Sequence, residues 1–472
     1  MLPIFTRKGL LLAKVETTEG EDAMPDASNA ILVDVPDSPF SYEFNRIQPN
    51  EVGGSLDLSE SIIGSMKAPF TCSILLRGAD LPGMYPQWDT LMRACGWKRT
   101  QTATDVMDDT ISVTDSNTIA DAGTNLDPLT VGTVFHMSGW PEPYTANNGS
   151  FIVTATGVGT VDVTKPDGSS AGLVAAPAGD FITISYGIPG TSATAGSAYT
   201  ATLATPFTNT AQAYRHMPLW LSGNPATPSL SFISDYTSGR VATLVNSYGT
   251  ALSASTVASI PANVLYTPSS DYSNDIKTIT LYYYEDGTVR KLTGCRGTVE
   301  MSFPTGDLCR MTFQFMGIPA DPFKSDAAVP TVTNNPKYDP PKFLKAAMLA
   351  DRSKIGVDTM SLKGNYQTTQ PGDPNANEGY GVALITARRW EMEIDPLATL
   401  TATRNTIAEL RAGKKKVMHA RLGDTPGNRI AVTVPSAKNV ALSEQAKDNL
   451  RREQITLECT GTDAATLGIC LF

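Results

Sequence analysis

The apolar positions near residue 70 alternate with polar ones, which predicts a β-strand with one buried face. The alternating residues are Phe70, Cys72, Ile74 and Leu76. A short helix is predicted next, because apolar residues recur there at intervals of three and four and Gly96 follows as a left-handed cap. Its apolar stripe consists of Trp88, Leu91, Met92 and Cys95.

A second stretch, beginning near residue 390, repeats this order of strand and helix. Trp390, Met392 and Ile394 alternate with polar residues, and a helix is predicted over residues 403–412, where Gly413 ends it. Three further strands are then predicted in both places. They lie at residues 279–283, 299–303 and 311–315 in the first copy and at 417–422, 430–434 and 455–459 in the second.

The two copies differ by one long detour. Residues 101–270 separate the helix from the following strands in the first copy, whereas the second passes directly from Gly413 into Val417. The pattern therefore predicts a duplicated β-unit with an insertion in its first copy, and an unrelated pair of β-domains is the alternative. The predicted core residues are Phe70, Ile74, Trp88, Leu91, Met301, Phe303, Phe313, Trp390, Ile394, Ile430 and Leu457.

This pattern predicts a mainly β protein with two tandem β-sandwich or barrel units, each carrying one short helix, and an inserted small β-domain. Residues 1–100 and 270–325 form the first unit, and residues 342–472 form the second. The insertion is expected to fold as a small outward β-domain at about 104–190, followed by an irregular segment that returns to the core. A proline-rich linker at residues 326–341 is expected to be extended and to fix the distance between the units.

Each copy also contains a long, weakly hydrophobic loop, at residues 46–67 and 364–380. Loops of this length are usually functional or disordered, and their matching places favour contact with another subunit. Residues that we expect to stack one ring of subunits on the next are Arg46, Asn50, Gly53, Gly54, Ser61, Lys67, Gly364, Tyr366, Gln370, Gly372 and Tyr380.

Charge is unevenly distributed along the chain, which has a formal net charge of −10. Residues 101–270 contain three basic and eleven acidic side chains, so an outward, solvated insertion is expected there. No apolar run approaches the roughly 20 residues that a membrane span needs, and the apolar stretch near the start is too short for a signal peptide. The six cysteines fall in or beside apolar patterns and are expected to be buried free thiols.

No catalytic or metal-binding motif is found in the sequence. The three histidines, His136, His216 and His419, are far apart and have no HExxH or CxxC partner. Nucleophile-elbow, phosphate-loop and dinucleotide-binding signatures do not occur either. The chain is therefore expected to be neither an enzyme nor a cofactor-binding protein.

Several stretches resemble one family when they are taken in order. Lys14–Asp22, the helix region Pro86–Gly96, and the hairpin Tyr283–Phe303 are similar to segments of the tail tube (major tail) proteins of long-tailed bacteriophages. Ala387–Trp390 and Arg421–Pro435 fit the same family. Each motif is loose, and an alanine is more usual at Cys295. The resemblance spans most of the two core units and omits residues 101–270.

The resemblance implies a structural virion protein whose rings stack into a hollow tail tube for DNA passage. Two tube domains per chain would let three chains close a ring of pseudo-sixfold symmetry. Implied partners are other copies of the chain, the tail terminator, tape measure and tail tip proteins, and viral DNA that passes through the lumen without sequence-specific binding. The implied location is the virion tail, assembled in the cytoplasm of the bacterial host, with no membrane partner.

Other functions are left open by the sequence. A host-surface adhesin could bind glycans by stacking sugars on Trp140, Tyr144 and Trp220, although isolated tryptophans are more often core residues. A capsid decoration protein would form discrete oligomers without end-to-end stacking. A glycosidase would need two carboxyl groups a set distance apart, and the sequence offers no pair to nominate.

Overall fold

The computed structural model describes residues 4–36, 38–52, 57, 59–223 and 229–472. Strands account for 48% of the chain and helices for 5%, in several antiparallel sheets and a half-barrel, so the mainly β prediction is confirmed. Short 3-10 turns lie at Thr6–Lys8, Ala27–Asn29, Thr145–Asn147 and Asp463–Ala465.

The first part of the chain forms the strand and helix that its pattern predicts. Its elements are β1 (Gly9–Val15), β2 (Ala30–Ile31), β3 (Glu43–Ile47), β4 (Ile62–Lys67), β5 (Phe70–Leu75), α1 (Asp89–Ala94) and β6 (Trp97–Thr102). Buried and half-buried residues alternate strictly along β5. Gly96 follows α1 with a φ of +76°, the left-handed conformation that glycine adopts without strain.

The insertion begins with a separate seven-stranded sheet. Its strands are β7 (Thr104–Asp108), β8 (Ile111–Val113), β9 (Thr118–Asp121), β10 (Val134–Ser138), β11 (Gly149–Gly157), β12 (Thr160–Thr164) and β13 (Ile182–Tyr186). They lie in the order β7-β13-β10-β11-β12-β9-β8 and enclose their own apolar cluster. We call this sheet with its loops insertion unit 1, and it agrees with the small β-domain expected at about 104–190.

The following residues do not form the irregular return segment that we expected. They fold into β14 (Ile188–Ser192), β15 (Ala195–Gly196), β16 (Thr200–Thr202), β17 (Pro218–Ser222), β18 (Leu230–Tyr236), β19 (Val241–Leu244) and β20 (Val257–Ile260). This second seven-stranded sheet, insertion unit 2, has an apolar cluster around Leu219, Ile233 and Tyr236, which Leu265 and Cys470 of the core extend. The prediction was wrong because these strands are short and rich in Ser, Thr and Ala, whose weak hydrophobic pattern hides a complete domain.

The two insertion units have the same architecture. If the strands of each unit are numbered one to seven along the chain, their order across the sheet is 1-7-4-5-6-3-2 in both units. The fifth strand is bulged against the sixth in both, between Val153 and Ala155 and between Ile233 and Asp235. Left-handed residues also fall at matching positions, as the pairs Gly132 and His216, Gly139 and Gly223, and Gly159 and Arg240. Identical order, bulge and backbone conformation indicate one domain present twice.

The chain re-enters the core earlier than the boundary of 270 that the sequence suggested. The next elements are β21 (Asn263–Pro268), β22 (Ile279–Glu285), β23 (Thr288–Pro304) and β24 (Arg310–Asp326). Strand β21 pairs with β6 from Thr102 and Asn263 onwards, so the insertion leaves and rejoins the core at neighbouring residues. Asp286 and Gly287 have positive φ angles and join β22 to β23 in the predicted tight hairpin.

Residues 327–341 contain no strand or helix, as expected for the proline-rich linker. Beyond them lie β25 (Leu349–Ala350), β26 (Ser353–Lys354), β27 (Val357–Lys363), β28 (Gln367–Thr369), β29 (Leu384–Ala387), β30 (Glu391–Pro396), α2 (Thr406–Ala412), β31 (Lys415–Leu422), β32 (Ile430–Lys447), β33 (Leu450–Cys459) and β34 (Gly468–Leu471). Helix α2 starts three residues later than predicted. The Asn405 side chain accepts a hydrogen bond from the Ala408 backbone N–H there, and Gly413 ends the helix with a φ of +59°.

Both core parts contribute to one large sheet and one large apolar cluster. All eleven predicted core residues are buried in that cluster, at 2% exposure or less. The strands of the first part lie in the order β1-β22-β23-β24-β5, and those of the second in the order β25-β31-β32-β33-β30. Strand β27 joins the two parts by pairing with β23 on one side and β30 on the other.

Candidate assembly surface

The hairpin formed by β3 and β4 carries four exposed apolar side chains. The two strands pair only with each other and belong to no larger sheet. Every residue of β3 is exposed. Phe44, Ile47, Ile62 and Ile63 have exposures of 56%, 49%, 57% and 61%. An isolated two-stranded hairpin is marginally stable in water, so the exposed apolar residues on it make this hairpin a candidate assembly surface.

This hairpin contains the first loop that the sequence predicted to contact another subunit. The Arg46 Nε atom donates a hydrogen bond of 2.8 Å to the Ser61 hydroxyl, which ties the two strands together. Asn50 is exposed towards the tip. Gly53 and Gly54, also predicted for this surface, lie outside the described residues.

The second predicted loop meets the base of the same hairpin. Lys67 places its ammonium nitrogen 4.3 Å from the centre of the Tyr380 ring, and the Ser65 hydroxyl donates to the Tyr380 hydroxyl at 3.3 Å. The Met66 backbone N–H donates to a Glu378 carboxylate oxygen at 2.7 Å. Gly372, which is exposed, forms an isolated bridge to Tyr380. The two loops, far apart in sequence, therefore form one continuous surface.

Three residues predicted for this surface instead contact the core and hold the second loop in place. Tyr366 donates a hydrogen bond of 2.9 Å to the Cys95 carbonyl oxygen and lies edge-on to Trp390, and burial raises the pKa of its hydroxyl. Gly364 leaves room for that ring, because a Cβ there would come within 2.0 Å of it. The Gln370 side-chain amide donates to the Gly317 carbonyl oxygen at 3.1 Å. Buried partners thus hold the second loop in place.

Two of the family-like motifs meet in space around a buried carboxylate that sequence reasoning missed. Glu16 accepts hydrogen bonds from the backbone N–H groups of Gly20 and Gly294, both at 2.7 Å, and from the Thr280 hydroxyl at 2.9 Å. Nearby, Glu19 pairs with the fully buried Arg296, which also donates to a backbone carbonyl. The acidic run directly after an apolar strand was the available signal.

A second candidate feature is a difference between the edges of strands β23 and β32. Residues 300–302 of β23 pair with β24 on one side and with β27 on the other. In β32, pairing with β31 ends at Lys438, so residues 441–447 pair with β33 alone among the described residues. Unpaired backbone groups along such an edge can accept another strand.

The side chains described here do not suggest a metal-binding or nucleophilic site. No cluster of three or more His, Cys, Asp or Glu side chains suited to a metal occurs in the described residues. All six cysteines are buried free thiols, as predicted, and burial raises the pKa of Cys72 to about 12. Within the residues that the structure describes, no helix is long and apolar enough to cross a membrane.

The three aromatic residues considered for sugar stacking do not form an exposed platform. Trp140 is 3% exposed and lies edge-on to Tyr144, with ring centres 6.3 Å apart. Trp220 is 7% exposed and packs against Val134 and Ile152 where the two insertion units meet.

No protein-family model matches the chain, and no curated protein matches it at a significant level.

Proposed function

We propose that the chain is a tail tube protein of a long-tailed bacteriophage, with two tandem tube domains and an outward insertion. Three copies form a ring, and rings stack into a hollow tube through which viral DNA passes without being gripped. The proposal assigns no catalysis and no cofactor. Its other partners, the tail terminator, tape measure and tail tip proteins, follow from the same family resemblance.

The observation that carries the proposal is the exposed apolar hairpin of β3 and β4. Phe44, Ile62 and Ile63 remain exposed although the rest of the chain has a well-formed core. At about 25 cal/mol per Å² of apolar area, covering such side chains contributes favourably to association. A neighbouring ring provides that cover in a stacked tube, and the paired loop containing Tyr380 braces the hairpin for it.

Ring closure is supported by the shared strand order of the two core parts. Met301 of β23 lies opposite Met311 of β24, and in the second part Leu442 of β32 lies opposite Ile455 of β33 in the same way. The β23 edge beside Met301 is covered by β27 from the second part of the same chain, whereas the matching β32 edge beside Leu442 has no second partner among the described residues. A neighbouring copy would cover it, and closed rings leave no edge free.

The test is electron microscopy and light scattering on the full chain and a matched pair of variants. Phe44→Ser with Ile63→Ser removes two apolar groups from the hairpin, whereas Met107→Ser with Phe181→Ser removes two from insertion unit 1, where both are 67% exposed. We expect the wild type and the insertion variant to form stacked rings, with masses in multiples of three chains, and the hairpin variant to stay folded but unstacked.

Two outcomes count against the proposal. A wild-type chain that stays a compact monomer under all assembly conditions would remove its basis. Tubes of unchanged length from the hairpin variant would show that this hairpin is not the stacking surface.

A further inference from the structure

A large cleft separates the insertion from the second core part. Its volume is about 1370 Å³, larger than the roughly 300–1,000 Å³ typical of small-molecule pockets. Strands β10 and β11 of insertion unit 1 and strands β17 and β18 of insertion unit 2 form one side. The other side is formed by residues 337–354 and by β31 with the turn that follows it. An occupant of this size would have several linked chemical units.

The cleft is strongly basic on a chain that is acidic as a whole. Among its lining side chains Asp167 is the only acidic one in the described part of the protein. One of its oxygens accepts hydrogen bonds from the Ser169 backbone N–H and hydroxyl, and its single negative charge is outnumbered by the basic side chains. The basic lining side chains are Lys165, Lys337, Arg352, Lys354, Arg421 and Arg429. Such a concentration of one sign attracts anions.

Several of these cations lack a close partner. Within the described residues no carboxylate lies within 4.0 Å of the ammonium groups of Lys165, Lys337 or Lys354, since none of the three takes part in an ion pair there. Among the described residues, the buried Arg421 Nε atom has no hydrogen-bond partner, and the carboxylate nearest to this guanidinium is the exposed one of Asp424, at 3.8 Å. An orphaned guanidinium N–H is costly unless a ligand satisfies it.

The uncompensated charge also acts on neighbouring groups. Burial, followed by the charge of Arg421, lowers the pKa of Arg429 to about 10. Burial lowers the pKa of His136 to about 4, with Lys337 and Arg429 adding to the effect, and burial with Arg421 lowers that of His419 to about 3. Both imidazoles are therefore neutral at pH 7, and the lysine and arginine charges face the same space.

We propose that this basic cleft binds an acidic oligosaccharide. Its cations would pair with the carboxylates or phosphates of the sugar chain, and hydroxyl side chains such as Ser138 and Ser247 line the same walls and can bond sugar hydroxyls. Nucleic acid is less suited, because Trp220 and Phe232 are too buried, at 7% and 2% exposure, to stack on bases. The site does not depend on ring formation.

The experiment is isothermal titration calorimetry of the full chain with a guluronate hexasaccharide, which carries one carboxylate per sugar. The variant Lys165→Glu, Lys337→Glu, Lys354→Glu reverses three unpaired charges in the cleft. The control variant Lys291→Glu, Lys324→Glu, Lys415→Glu makes the same change in net charge on lysines that do not line the cleft. Equal melting temperatures would show that all three proteins are folded alike.

We expect the hexasaccharide to bind the wild type and the control equally, and the cleft variant about tenfold or more weakly, because each reversal replaces an attraction with a repulsion. Maltohexaose, which is neutral, should not bind. A bound anion should also raise the pKa of His136, which NMR titration can follow. The proposal is overturned by absent hexasaccharide binding, by equal binding to the cleft variant, or by tighter binding of hexaglutamate or hexathymidylate.

Discussion

Replacing Glu16 by glutamine should loosen the junction where three strands of the first core part meet. The carboxylate is 7% exposed and accepts three hydrogen bonds, from Gly20, Thr280 and Gly294. Glutamine offers one acceptor oxygen and one amide group that can only donate. At least one N–H donor therefore loses its acceptor, and the remaining bonds lose their charge.

The cost follows from the strength of these bonds. A hydrogen bond to a charged group contributes about 1.5–3 kcal/mol, and a buried donor left unsatisfied costs about 1–3 kcal/mol. We expect Glu16→Gln to lower the local opening free energy by about 3 kcal/mol, which corresponds to roughly hundredfold faster amide exchange. Hydrogen exchange with mass spectrometry on peptides covering residues 9–22 and 279–297 measures this change directly.

Glu21→Gln is the matched control. Glu21 is exposed, and its side chain makes no hydrogen bond or ion pair within the described residues, so we expect a change within about 0.5 kcal/mol. Equal exchange rates in the two variants would refute the role assigned to Glu16. Faster exchange throughout the chain, including insertion unit 1, would show that the effect is global rather than local.

Three further predictions concern stability and accessibility. Lowering the pH from about 6.5 to 4 should destabilise the fold by up to roughly 3 kcal/mol for each histidine with a lowered pKa, because the unfolded chain binds protons that the folded imidazoles do not. Chemical denaturation midpoints at pH 7 and 4.5 test this, and equal midpoints would contradict it. The histidines are His136, His216 and His419. Ellman's reagent should label no thiol of the folded protein and all six after denaturation, and rapid labelling of the native chain would contradict their burial. Gly139→Ala should lower the melting temperature more than Gly168→Ala, although both glycines have positive φ angles. A Cβ at Gly139 would lie 2.6 Å from the Phe181 carbonyl oxygen, whereas one at Gly168 would meet nothing within 4 Å, so equal losses in melting temperature would refute this contact.

Local signals in the sequence predicted those elements whose pattern is set by neighbouring residues. Strand β5 and helix α1 belong to this group, because apolar period and a glycine cap act within a few positions. Insertion unit 2 was missed because a strand such as Thr200–Thr202 carries one buried apolar residue, Ala201, and becomes recognisable only by pairing with β19. Pairing partners of that kind lie too far along the chain to be read from local pattern.

The candidate surface shows the same limit. Loop length and weak hydrophobicity located the hairpin that carries Phe44, but the sequence could not show that Tyr366 turns inward to reach Cys95, 271 positions away. The carboxylate of Glu16 was likewise unremarkable until the fold brought Gly294 to it. Buried polar partners depend on tertiary structure, so a single sequence does not reveal them.

The way in which the insertion units begin and end has a consequence for how this protein can change. Insertion unit 1 starts and finishes on neighbouring strands, with Thr104 opposite Tyr186, and insertion unit 2 does the same with Ile188 opposite Ile260. A domain added at either place would therefore leave the ends of the flanking chain side by side, whereas removing one unit would also expose its contact with the other around Trp220. A foreign domain with adjacent termini could be grafted at either place, which would make the insertion a platform for display.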